Sequence, residues 1–183
     1  MSMRFIVSIL AVGLITAAFA ADGDPLKIKP IETRAGGNSK IDRPMVRMID
    51  TQAKWQELWN LHTGAEAVVS DSGVLTFPKA APAPTVDFAK NQVLVVFGGK
   101  LPNVQAYDYV KTYAKDAVAV VELRQNIIPA SAASAVMTPF VLLVVPKEPV
   151  PIEVELDSIA KDGSHFWLKI ASFRAPKTSA KAG

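Results

Sequence analysis

Cysteine is absent from all 183 residues. Without a thiol, no lipid can be joined at an export cleavage site and no disulfide can hold the fold. Stability must come from packing, and the chain is long enough to build a core of its own. Histidine is almost as scarce, with only His62 and His165. Neither has a second His, a Cys or a carboxylate at a spacing such as H-x3-H or H-E-x-x-H, so no metal and no cofactor is expected. Net charge is low, at 20 Lys+Arg against 17 Asp+Glu. The basic residues are scattered rather than blocked, which argues against a nucleic-acid partner. No G-x-S-x-G and no internal repeat occurs.

The most informative stretch is the start. Met1-Ser2-Met3-Arg4 leads into an apolar run from Phe5 to Phe19 that closes on Ala18-Phe19-Ala20. Small residues at the first and third places of that triplet suit signal peptidase, and the run is too short for a stable membrane span. Residues 1–20 therefore read as a cleavable signal peptide. The expected destination is periplasmic or extracellular, with no stable membrane anchor after cleavage. Loss of Arg4 leaves 19 basic and 17 acidic residues, a net charge of +2.

Residues 21–42 are polar, with Pro25, Pro30 and Gly36-Gly37, and read as a flexible arm. Residues 43–174 read as a single β-rich domain, and 175–183 as a disordered tail. Pro44 to Ile49 suits a short strand. Asp50 or Thr51 offers a cap to a helix running to about His62, where Trp55, Leu58, Trp59 and His62 recur at helical spacing and Gly64 is the natural stop. Gly64 to Thr85 reads as a long loop with a short strand at Gly73 to Phe77. Gln92 to Phe97 and Phe140 to Val145 are nearly continuous apolar runs, as in strands covered on both faces. Ala106 to Tyr113 and Ala117 to Arg124 form a hairpin pattern. Ile152 to Ile159 and Ser164 to Ala171 form another, about Asp162-Gly163, which suits a type I′ turn. The fold class that follows is α+β and β-rich: a mostly antiparallel sheet, or a sandwich, with one covering amphipathic helix.

Motifs with possible chemistry are few. Ser158-Ile159-Ala160-Lys161 matches S-x-x-K, but that chemistry needs a helix and this segment lies between strands. Glu153 and Glu155 share one strand face, alternating with Ile152, Val154 and Leu156, as on a solvated outer surface. Asp22-Gly23-Asp24 lacks the further ligands of a calcium loop. Gly98-Gly99-Lys100 is followed by Leu101-Pro102, where a phosphate loop needs Ser or Thr and then a helix. Tyr107, Tyr109 and Tyr113 with Lys111 would share a strand face, either as a binding platform or as a layer beneath the helix. No catalytic residues are assigned, and the chain is not expected to be an enzyme.

The stretch from Val46 to about Leu156 resembles the PrcB C-terminal domain family, protease-complex-associated proteins of bacteria. The features run in the family's order: a strand, the helix Trp55-Gln-Glu-Leu-Trp59, then Val86-Asp87-Phe88 before the buried strand Val93 to Phe97 with its Gly98. A polar hairpin, a loop containing Pro129, and Thr138-Pro139-Phe140 opening another apolar strand complete it. About two thirds of the mature chain is covered. The family's Gly-Gly-Tyr turn is replaced here by Lys100 to Tyr107. The resemblance implies a non-enzymatic protein-binding domain, accessory to or stabilising a protease. A protease inhibitor and a small-ligand or glycan binder are the alternatives. The expected partner surface is the loops at the strand ends. Its first part is Gly98, Gly99, Lys100, Pro102 and Asn103, continuing into Tyr107 and Tyr109. Its second part is Pro129, Thr138 and Pro139.

Overall fold

The computed structural model describes residues 28–66, 68–69, 75–76, 80–129, 135–160 and 162–175. Residues 1–27 (the expected signal peptide and the first part of the expected arm), Lys161, residues 176–183, and 67, 70–74 and 77–79 of the Gly64 to Thr85 stretch lie outside them. Among the described residues, twelve strands and one helix are formed. They are β1 (Glu32–Gly36), β2 (Pro44–Ile49), α1 (Gln52–Thr63), β3 (Val68–Val69), β4 (Leu75–Thr76), β5 (Asn91–Gly98) and β6 (Leu101–Pro102). There follow β7 (Val104–Lys115), β8 (Val118–Ile127), β9 (Val136–Met137), β10 (Phe140–Pro146), β11 (Ile152–Ile159) and β12 (His165–Phe173).

One four-stranded sheet has the order β1-β10-β5-β2 and is antiparallel throughout. The other has the order β12-β11-β8-β7, with one parallel pair, β11 against β8. Two short pairs, β3-β4 and β6-β9, complete the set. The chain is β-rich, with one helix among the described residues and mostly antiparallel pairing.

The apolar runs explain the centre. β5 and β10 are adjacent and buried on both faces. Leu94, Val96, Val141, Leu143 and Val145 share a core cluster with Val121, Leu123, Ile152 and Val154 of the second sheet. Val93, Val95, Phe97, Phe140 and Leu142 point the other way and cluster with Trp55 and Leu58 of α1. Each fully buried side chain of this size contributes about 1.5–3 kcal/mol.

The helix begins and ends where its caps are. Thr51 is extended (φ −139°), and its hydroxyl accepts from Lys54 N at 3.4 Å. Gly64 stops the helix at φ +74°, a conformation that costs any other residue. Trp55 donates its Nε1–H to Pro84 O at 2.9 Å, and Gln56 Oε1 accepts from Ala83 N at 2.9 Å. These two bonds strap 83–84, the end of the long loop, along the helix.

Three expectations change. Glu32–Gly36, placed by sequence in a flexible arm, is an edge strand paired with β10, and Ile28 before it is fully buried. Its polar composition hides it, because an edge strand need bury little. The three tyrosines do not share a face. A register shift between Tyr109 and Lys111 breaks the two-residue period, so Tyr107 and Tyr109 pack into the inter-sheet core while Tyr113 stays with Lys111 on the outer side. The β11-β12 connection is not a type I′ turn. Ile159 pairs with His165, Ala160 N bonds to Ser164 O at 2.8 Å and Gly163 N, at φ 83°, bonds to Ala160 O at 2.9 Å, so the connection is longer than a two-residue turn on Asp162-Gly163.

The β7-β8 connection carries the primed turn instead. Asp116 (φ 50°) and Ala117 (φ 62°) are both left-handed, between partners Lys115 and Val118. Alanine is strained there, by roughly 1 kcal/mol. Ala117→Gly should therefore raise the denaturant midpoint, stabilising by about 0.5 kcal/mol after the entropy of the added glycine. Unchanged or lower stability would contradict this turn geometry.

Candidate functional site

The two expected loop segments come together. Leu101 and Pro102 pair with Met137 and Val136, which joins the 98–106 loop to the 125–138 loop. Asn103 is the knot. It holds φ 56°, donates N–H to Ala135 O at 2.9 Å, accepts from Ala135 N through Oδ1 at 3.1 Å, and accepts from Ile128 N at 2.8 Å. Asn tolerates the left-handed region better than most residues, so one side chain satisfies both turn and bridge.

Thr138 ties this rim to the chain before β2. Its hydroxyl donates to Ser39 O at 2.5 Å, and its N–H to Gly37 O at 2.9 Å. Pro139 is buried, and its carbonyl accepts from Gly98 N at 2.9 Å. Gly98 lies against the Tyr107 hydroxyl, Pro139 and Leu101, with no room for a side chain. Gly99 turns at φ 68° against Asp42 and Pro44. Lys100 remains exposed, with Nζ 3.6 Å from Asp42 Oδ2.

Of the ten expected site residues, then, Gly98, Gly99, Tyr107, Thr138 and Pro139 sit inside the scaffold. Tyr109 is half-buried and bonds Thr112 Oγ1 at 3.1 Å. Asn103 is the half-buried bridge. Lys100, Pro102 and Pro129 face solvent. The sequence reading passed over Val136, 71% exposed, and Ile127, 49% exposed. Val136 pairs with Pro102 and Ile127 with Val104, so an exposed apolar side chain stands on either side of Asn103 in the hydrogen-bonded rim. Exposed valine and isoleucine carry no motif, which is why spacing could not find them.

Groups able to do acid–base chemistry are divided. His62, at the helix end, is 9% exposed and packs edge-on to Phe140 at 4.4 Å between centroids. Its Nδ1 lies 3.0 Å from Ser39 Oγ. That hydroxyl also accepts Ile41 N–H, and toward Nδ1 it can donate or accept according to the ring tautomer. No carboxylate joins this pair among the described residues. His165 lies on the second sheet, where its Nδ1–H donates to Asp157 Oδ1 at 2.8 Å. Arg124 Nε donates to the other oxygen at 2.9 Å. The His165 bond, helped by Arg124, holds the Asp157 carboxyl below the usual carboxylate range. Ser158 is next in sequence but on the opposite sheet face, bonded to Leu156 O at 3.4 Å. The S-x-x-K partner Lys161 lies outside the described residues.

That outer face carries two further ion pairs. Glu153 meets Lys169 at 3.0 Å, and Glu122, 3% exposed, meets Lys111 at 3.6 Å. Among the described residues, no group of three His, Asp or Glu is placed to hold a metal, and no helix is long and apolar enough to cross a membrane.

Burial pushes the His62 pKa below its ordinary value of 6.5. The unfolded chain takes the proton more readily than the folded one. Stability from the neutral ring is thus complete above about pH 6.5 and declines as pH falls from there toward the folded value. His62→Phe should flatten the thermal-stability slope between about pH 7 and pH 5. An unaltered slope would show that His62 does not titrate in this window.

Compared with known proteins, the chain matches no family model, no curated protein and no solved structure.

Proposed function

We propose that this chain is an exported, non-enzymatic protein-binding domain that acts through the rim formed by β6, β9 and Asn103. The carrying observation is exposed Val136 and Ile127 on a scaffold fixed by backbone bonds, because a rigid apolar surface loses little freedom on binding. In this reading the two sheets form a sandwich, α1 covers its outer face, and the rim lies at one end. Export rests on the Met1 to Ala20 pattern. A protease as partner, with the domain accessory to it, rests on the resemblance of Val46 to Leu156 alone.

The protease part is tested by adding the purified chain from Ala21 onward to the native envelope fraction and following peptide hydrolysis. Preserved or longer-lived activity is expected of an accessory subunit. Dose-dependent loss would replace that role with inhibition, and hydrolysis and its decay unchanged at every dose would remove the protease from the account.

A further inference from the structure

A short chain of bonds joins His62 to the rim. Its Nδ1 lies 3.0 Å from Ser39 Oγ, and its carbonyl accepts Lys40 N–H at 2.9 Å. Thr138 clasps Ser39 in turn, donating its hydroxyl to Ser39 O at 2.5 Å and accepting Ser39 N–H at 3.2 Å. Thr138 directly follows Val136 and Met137, the β9 part of the rim. The imidazole itself is enclosed by rings, with Trp59 at 5.3 Å, Phe97 at 5.6 Å and Phe140 at 4.4 Å between centroids. Phe140 opens β10 just after Thr138 and Pro139. One ring thus braces both the segment before β2 and the start of β10.

This slot suits a neutral ring and not a charged one. An imidazolium donates from both nitrogens. Ser39 Oγ can take one of those protons, and no described residue is bonded to Nε2. Carbonyls at a helix end favour a cation, but those of α1 are taken. Trp59 O accepts the Thr63 hydroxyl, Asn60 O accepts Ala65 N–H, Leu61 O accepts Gly64 N–H, and His62 O accepts Lys40 N–H. Nor is a carboxylate at hand. β5 and β10 carry no ionisable side chain. On α1, Lys54 pairs with Asp50, and Glu57 lines a groove with Arg47 and Lys54 that His62 does not line. In the segment before β2, Lys40 lays its stem against Gly64, Asp42 pairs with Lys100, and Arg43 is exposed.

We infer that His62 is an acid-triggered latch on the rim: on taking a proton its ring leaves the aromatic slot, and the clasp between Ser39 and Thr138 loosens β9. Acid then releases whatever the rim holds, a consequence that rests on the rim being the binding surface. Burial alone lowers the His62 pKa in the closed slot, so the open form takes the proton more readily and acid favours opening. From about pH 6.5 down to the lowered value, opening grows about tenfold for each unit of pH.

Amide hydrogen exchange of the chain from Ala21 onward tests the latch with no partner present, so the result does not depend on whether the rim binds one. Rates corrected for intrinsic exchange are compared at about pH 6.5 and about pH 5.5. The amides of Ser39, Asn103, Ala135 and Thr138 should lose about tenfold in protection, while Val95 and Leu142 in the central strands stay more protected than they are at either pH. His62→Phe, which keeps a ring in the slot, should abolish the loss. His165→Gln, at the only other histidine, should leave it intact. Rim protection that does not change with pH, or that falls as much in His62→Phe, overturns the latch. In His165→Gln the His62 ring resonance also gives its own titration midpoint by NMR. Rim amide shifts should follow that midpoint, and shifts that do not follow it overturn the latch even if His62→Phe fails to fold.

Discussion

Trp55→Ala is expected to cost about 3–5 kcal/mol, the largest loss from any single side chain of the helix. Trp55 is 2% exposed and reaches across the face of Val93 and Leu142. Its truncation removes an indole, leaves a cavity, and strands Pro84 O, which accepts its Nε1–H at 2.9 Å. Three costs then fall at one place: lost apolar burial, lost contacts around the cavity, and an unpaired carbonyl. The melting temperature should fall by roughly 10 °C. Trp59→Ala should cost less. Trp59 is half-buried, and its Nε1 has no partner among the described residues, so no bond is lost. Equal losses at the two positions would show that the helix is seated on a different stripe.

The second large effect is at Gly98. A methyl group there would lie 2.2 Å from the Tyr107 hydroxyl, 2.9 Å from Pro139 Cγ and 3.0 Å from Leu101 Cδ1. Pro139 is buried and Tyr107 is 3% exposed, so neither can swing away freely. Gly98→Ala should cost about 1–3 kcal/mol by overpacking. The closest clash is with the hydroxyl, so Tyr107→Phe should recover part of the loss in the double variant. Additive losses would mean that the clash is with Pro139 instead. Because Gly98 N bonds Pro139 O at 2.9 Å, the strain should also loosen the rim.

The helix and the central strands were legible because their signals are local. Trp55, Leu58 and His62 lie on one stripe between Thr51 and Gly64, and α1 forms between those caps. The runs Val93 to Phe97 and Phe140 to Val145 are apolar on both faces, and both strands are covered on both faces. What stayed hidden depends on contacts far apart in sequence. β1 reads Glu-Thr-Arg-Ala-Gly, polar throughout, and is a strand only because β10 supplies its partner. Arg124 meets Asp157 because β8 and β11 run parallel in register, which no periodicity announces. One extra residue near Val110 turned Tyr107 and Tyr109 away from Tyr113. At the rim, both loops were named from turn residues and prolines. Their union was not legible, since β6 and β9 are two residues each and too short to show a pattern.

The most direct test of the binding rim is capture from the native envelope fraction. Two tagged baits would be compared, the chain from Ala21 onward and its Ile127→Asp/Val136→Asp variant. Both side chains are exposed, so the variant should keep the wild-type melting temperature. The account predicts that the first bait enriches a protease and the variant loses it. Capture of the same proteins in the same amounts by both baits would contradict the rim as the binding surface.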